Sequence, residues 1–233
     1  MRSISGLLDS TRCAPPWLGS EPVVDPSPEP VDGLRLILAS ASPARLRTLR
    51  NAGLQPEVIV SGVDEDAVWG ATVPELVARL AQLKAEAVSR LVEHPSRPTV
   101  IIGCDSLLEL DGAGYGKPSD AAEAILRWRR MSGRSAVLHT GHHAILRRGV
   151  QTTALAARAA TTVHFAALDQ TEIEAYVATG EPLKVAGAFT VDGLGGAFVT
   201  RIEGDHHNVV GISLPLLRLL LADLGVSWTD LRR

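Results

Sequence analysis

The run Leu36-Ile37-Leu38-Ala39-Ser40-Ala41-Ser42-Pro43-Ala44-Arg45 constrains this chain more than any other segment. Its apolar start reads as a buried strand, and a serine-rich turn follows with no room for a long loop. Ser42 suits an N-cap, and Pro43 suits the first helical position, where its missing N–H is not needed. Leu46, Leu49 and Ala52 continue at helical spacing, and Gly53 supplies the stop. A strand that restarts at once as a helix leaves free N–H groups and a partial positive charge at the turn, which favours an anion. Arg45, in the first helical turn, adds a charge able to fork onto phosphate. The same pattern also describes an ordinary capped junction, so the turn alone assigns no function.

The basic residues narrow the choice. Of 23 Lys and Arg, only Lys84, Lys117 and Lys184 are lysine. Positions where any cation serves are filled with arginine, so a retained lysine is a candidate for a place that needs a compact ammonium, the alternative being chance among so few residues. Lys117 lies in the tight turn Gly116-Lys117-Pro118, and Lys84 lies on a predicted helix.

With 233 residues the chain can bury a sizeable core. A formal net charge of −3 argues against a partner that is a nucleic acid polymer, yet allows a local basic pocket. Cys104 sits in an apolar strand as a buried free thiol, and Cys13 stands apart from it. No disulfide framework is indicated, so a reducing compartment fits. No apolar run spans a bilayer, and the start of the chain lacks a signal-peptide core. These features imply no membrane partner and a cytoplasmic location.

Residues 1–33 read as a flexible, Pro-rich N-terminal extension, with residues 34–233 forming a single globular domain. A short strand over Glu57–Ser61 leads to the acidic turn Gly62-Val63-Asp64-Glu65-Asp66. Thr72-Val73-Pro74-Glu75 opens a long helix as a capping box, with Leu76, Leu80, Leu83, Ala87 and Leu91 as its apolar face. Thr99–Gly103 predicts a strand that ends at Cys104-Asp105-Ser106. Further short strands are expected over Leu107–Leu110, Val137–His139, Ala144–Leu146, Thr161–Phe165, Ala186–Phe189 and Phe198–Glu203. Helices are expected from Asp120, Asp169 and Ser213. Strands alternate with helices but hairpins interrupt them, which predicts an α/β fold with a mixed sheet.

Asp105 is the sharpest chemical candidate. At the C-terminal end of a strand it could accept a proton from water or hold a divalent cation. A turn aspartate fits the same position. The haloacid-dehalogenase pattern is discounted, because its second acid is replaced by Leu107. Glu65 lies in a run of acids and is either a solvated loop residue or a metal and water ligand beside Asp105. Together Ser40, Arg45, Lys84 and Lys117 suit a polyphosphate, and Asp105 with Glu65 could hold the Mg²⁺ such a substrate carries. The pairs His142-His143 and His206-His207 make a poor zinc site, since neighbours on a strand point to opposite faces.

These motifs, taken in order, resemble the Maf family of septum-formation proteins and nucleoside triphosphate pyrophosphatases. The opening run is similar to the family signature, which ends SxSPRR. The matches continue through Asp64-Glu65, Lys84-Ala85, Gly103-Cys104-Asp105-Ser106, Gly116-Lys117-Pro118, Ser132-Gly133-Arg134 and His139-Thr140-Gly141. Gly180-Glu181-Pro182, Ala186-Gly187-Ala188-Phe189, Gly204-Asp205 and Asn208 to Gly211 complete the set. The resemblance implies an elongated mixed β-sheet flanked by helices, with two lobes around a central cleft, as in inosine triphosphatases. It implies a nucleoside triphosphate substrate, hydrolysed to monophosphate and pyrophosphate with a divalent metal cation, Mg or Mn, as cofactor, and often a homodimer. On this resemblance Asp105 is the base, Glu65 stands near the metal with it, Lys84 and Lys117 assist catalysis, and Ser40 and Arg45 bind substrate. Ala44 departs from the family pattern, where an arginine stands. Asp192 occupies a substrate-discriminating position that carries Gln or Glu in the family's substrate groups, which leaves the preferred base open. Two further readings compete with the hydrolase that removes non-standard or surplus nucleotides. One is a non-catalytic nucleotide-binding regulator of cell division, and the other is a metal-dependent phosphomonoesterase.

Overall fold

The computed structural model describes residues 33–68, 72–92 and 95–232. The Pro-rich N-terminal segment, apart from Gly33, and Cys13 lie outside these residues. The first strand, β1 (Arg35–Leu38), passes into α1 (Pro43–Asn51) through the expected turn. The Ser42 side chain accepts a hydrogen bond from the Arg45 amide, and Gly53 closes the helix at φ +83°. Next come β2 (Glu57–Val58), α2 (Val73–Leu91), β3 (Thr99–Leu110) and β4 (Ala113–Tyr115). The capping box of Thr72 and Glu75 opens α2 as expected. The chain continues through α3 (Ala121–Met131), β5 (Ser135–Arg148), β6 (Gln151–Phe165) and α4 (Gln170–Ala178). It ends with β7 (Val199–Glu203), α5 (His206–Val210) and α6 (Leu214–Asp223).

The seven strands form one mixed sheet in the order β2-β1-β3-β5-β6-β7, with β4 added to β3. Pairs β1/β2 and β1/β3 are parallel, and the others are antiparallel. Several expected short strands prove to be parts of longer ones. Thr99–Gly103 and Leu107–Leu110 are both β3, Val137–His139 and Ala144–Leu146 are both β5, and Thr161–Phe165 ends β6. Glycine and histidine interrupt the apolar pattern, but the ladder bridges them because β3 and β5 pair without a break from Thr99↔Arg147 to Glu109↔Val137. Ala186–Phe189 is not a strand. Ala186–Ala188 forms a 3₁₀ turn in which Gly187 takes φ +71°, a conformation no strand uses.

The long strands carry two separate lobes. At one end Leu36, Leu38, Val100 and Ile102 pack under Leu49 of α1 and Leu217 and Leu221 of α6. The alternating residues Ile37, Ala39 and Ile101 face the other way, onto Ala85 and Val88 of α2. At the far end Leu108, Leu110, Val163 and Phe165 pack beneath α3 and α4. Trp128 anchors this second core, meeting Phe165, Tyr176 and Phe198 edge to face and donating its Nε1–H to the Ala188 carbonyl at 2.7 Å. Among the described residues no helix is long and apolar enough to cross a membrane.

Candidate active site

One edge of β3 opens between the lobes. β5 covers the other edge from Thr99 to Glu109, but β1 pairs only Thr99–Ile102 and β4 only Leu108–Leu110. The interval between them, which includes Asp105, Ser106 and Leu107, lines a cavity of about 910 Å³. A pocket of that size accommodates a nucleotide-sized ligand. Asp105 therefore does not follow a strand end, as its sequence context suggests. It sits in the middle of β3, at the place where the neighbouring strand leaves.

Helix α2 lies unusually close to this part of the sheet, and two glycines permit it. A Cβ on Gly103 would fall onto the Ala81 carbonyl and 2.8 Å from the Ala85 amide nitrogen. A Cβ on Gly141, the partner of Asp105 in β5, would fall onto the Val77 carbonyl. The buried face of α2 is consequently Val73, Val77, Leu80, Ala81, Lys84, Ala85 and Val88; of the apolar line read from periodicity only Leu80 is buried, and Leu91 is 64% exposed. Small residues meet the sheet, and Lys84, one turn beyond Ala81, is carried into the interior at 7% exposure.

There the Lys84 ammonium meets Asp105 Oδ1 at 2.5 Å and Glu65 Oε1 at 2.6 Å. Glu65 is thus no free loop acid, although it keeps one side in solvent. Burial pushes the Asp105 carboxyl above its usual range, against the opposing pull of Lys84 and Arg45. The ammonium donates a hydrogen bond to Asp105 and pairs in charge with Glu65, so donor capacity remains for a ligand.

Arg45 departs from its expected role. Its side chain is buried, with Nε donating to the Gly211 carbonyl at 2.7 Å. Nη1 donates to Ser40 Oγ and the Cys104 carbonyl, and Nη2 to Ser106 Oγ, each at 2.9 Å. Four of its five N–H donors hold the protein together, which leaves no fork for phosphate. Its partners are neutral oxygens, so its charge still acts across the cleft. Ser40 is the acceptor of one of these bonds and lines the cleft beside the N-terminus of α1.

Lys117 and Asp192 also line the cavity, so all seven site residues named from the sequence converge on it. Asp192 Oδ2 lies 3.5 Å from Arg47 Nη2. Arg47 and Lys184 line the cavity too and were not expected there. The scarcity of lysine was the available signal for Lys184, whereas nothing separates Arg47 from the other surface arginines. Cys104 is free and buried, and burial raises its thiol to about 11, so it is chemically inert.

Among the described residues no three His, Cys, Asp or Glu side chains gather to hold a metal ion. Asp105 and Glu65, both in reach of one nitrogen, supply a two-carboxylate donor set. That set fits a hard cation that completes its shell with phosphate oxygens and water.

The family model described as Maf-like protein matches residues 35–224. A nucleoside triphosphate pyrophosphatase of Salinispora tropica is 58% identical over 200 residues, covering 85% of this chain and 87% of that protein. One from Streptomyces coelicolor is 54% identical over 201 residues, covering 84% and 94%. One from Cutibacterium acnes is 52% identical over 198 residues, covering 84% and 93%.

Proposed function

This chain belongs to the Maf family, and on that premise we propose that it is a nucleoside triphosphate pyrophosphatase, an enzyme that hydrolyses a nucleoside triphosphate to the monophosphate and pyrophosphate. The observation that carries the reading is the buried Asp105, with its raised pKa, facing an open cleft between Lys84 and Arg45. A buried carboxylate lifted above its ordinary range is a stronger base, and the two neighbouring cations pull the other way, toward its ionised form.

Lys84 holds Asp105 Oδ1, so the other carboxylate oxygen takes the proton of the attacking water. The water adds across the anhydride between the α and β phosphates, and the bridging oxygen leaves with pyrophosphate. The remaining Lys84 N–H and the field of Arg45 stabilise charge that builds on the phosphate oxygens. Arg45 is a positioning residue here, because it fixes the Cys104 carbonyl and Ser106 on either side of the base. Lys117, which lines the same cleft, would add a further cation for the polyphosphate. Asp105 and Glu65 would hold a divalent cation brought in with the substrate. When bound, such a cation supplies charge neutralisation and polarises the anhydride. Asp192 faces the cleft as an acceptor for N–H groups of the base.

The test is pyrophosphate release across standard and modified nucleoside triphosphates, with Mg²⁺, with Mn²⁺ and with chelator. Turnover should require the cation, and Asp105→Asn should lower it at least about a hundredfold, the lower end of what a placed general base contributes. Binding without turnover in the parent protein would favour the regulator reading, and orthophosphate as first product would favour a phosphomonoesterase. Asp192→Gln should reorder the preferred bases, and an unchanged order removes Asp192 from base recognition.

A further inference from the structure

Lysine is rare in this chain, and its placement is selective. All three lysines line the same cleft, whereas among the arginines of the described residues only Arg45 and Arg47 do. Lys84 is engaged by Glu65 and Asp105. Arg45 is spent on protein oxygens, and Arg47 faces Asp192. Lys117 and Lys184 are exposed and have no ion-pair partner among the described residues.

The backbones that carry these two ammonium groups are tied to each other. Lys117 follows Gly116, and Lys184 ends the 3₁₀ turn Pro182–Lys184. The Gly187 N–H donates to the Gly116 carbonyl at 3.1 Å, and Arg127 Nη1 of α3 donates to the same carbonyl at 2.5 Å. Gly187 is pressed against Leu108, where a Cβ would come within 2.8 Å of the Leu108 Cβ. Ahead of Lys184 the turn is pinned at its start by Glu181, which accepts from the Tyr176 hydroxyl at 2.9 Å and the Gly195 amide at 3.0 Å. Two flexible cationic side chains thus rise from fixed turns on one wall of the cleft.

We propose that Lys184 is a substrate-binding residue that, together with Lys117, holds the pyrophosphate portion of the triphosphate. An ammonium offers donors only, and phosphate oxygens offer acceptors only, whereas the edge of a base mixes the two. The densest negative charge of the substrate therefore belongs opposite the two ammonium groups that no carboxylate neutralises, while Lys84 and Asp105 act at the scissile anhydride. This assignment rests on the pyrophosphatase reading above.

The experiment compares the full chain with Lys184→Gln and Lys184→Arg, by turnover of several nucleoside triphosphates and by calorimetric titration with inorganic pyrophosphate and Mg²⁺. Because Lys184 is exposed, the substitutions leave the fold intact, which a matching melting curve verifies. Losing one charge-assisted contact should lower kcat/KM about tenfold and weaken pyrophosphate binding about tenfold. The loss should be equal for every base, and Lys184→Arg should restore most of both. Unchanged pyrophosphate affinity, or a loss confined to particular bases, overturns the assignment. If the parent hydrolyses no nucleoside triphosphate, the pyrophosphatase reading fails, and the titration still decides Lys184. Weaker pyrophosphate binding in Lys184→Gln would keep the assignment, and equal binding or no binding by the parent would refute it.

Discussion

Arg45 shows how much one side chain can hold. It ties the first turn of α1 to β3 at Cys104 and Ser106, and to Gly211 at the end of α5. Arg45→Lys keeps the charge but cannot span these acceptors, so several buried oxygens lose their donor. The expected cost is about 3 kcal/mol, read as a melting temperature lower by about 6 °C or more. An unshifted melting curve would show that the network is dispensable. His142 makes a second prediction at this scale. It is buried, its Nδ1 faces the Thr140 carbonyl, and its Nε2 accepts the Ser213 N–H at 2.9 Å. Burial, helped by the Arg45 charge, lowers its pKa from 6.5 to about 4. The unfolded chain therefore takes up this proton first as pH falls, and stability drops between 6.5 and 4. The loss is about 1.4 kcal/mol per pH unit across that window. His142→Gln, which preserves an acceptor for Ser213, should flatten the acid limb of a melting-temperature profile, and an unaltered slope would remove His142 as its source.

The helix α2 is the element on which the site depends. Its Thr72–Glu75 start was legible because capping is local. Its inward face was not, because that face is decided by two glycines far away in sequence. Periodicity assigns leucines to the core, but a helix lying flush on a sheet needs alanines at the contact and can bury a lysine if a carboxylate waits there. Gly141→Ala or Gly103→Ala should lift α2 from the sheet, because the added carbon meets helix backbone that cannot move alone. A cost of about 2 kcal/mol or more is expected, together with a loss of turnover beyond what stability explains, since Lys84 is drawn from Asp105. Full activity in a folded Gly141→Ala protein would contradict this coupling.

For the whole molecule, the mixed α/β class was legible from alternating strands and helices, and the ordered motifs implied the cleft. The length of β3, β5 and β6 was not, since β3 and β5 each read as two short strands where glycine or histidine breaks the apolar run, and only Thr161–Phe165 of β6 reads as a strand. Continuity matters, because these three strands pass through both cores and join the lobes covalently and by an unbroken ladder. The lobes should therefore unfold together. Urea transitions followed by far-ultraviolet circular dichroism and by the fluorescence of the four tryptophans should coincide, since Trp128 lies in one core and Trp228 packs against the other. Separate midpoints would mean that each lobe melts on its own.

The confinement of lysine to the cleft has a practical corollary. Amine-directed reagents find most proteins decorated at random, but here the side-chain amines all border one hollow. Acylation at low stoichiometry should label Lys117 and Lys184, spare the buried Lys84, and slow when the hollow is filled. A footprint of amine reactivity would then serve as a direct gauge of occupancy, and attaching this protein to a surface through its lysines would obstruct the very opening a ligand must enter.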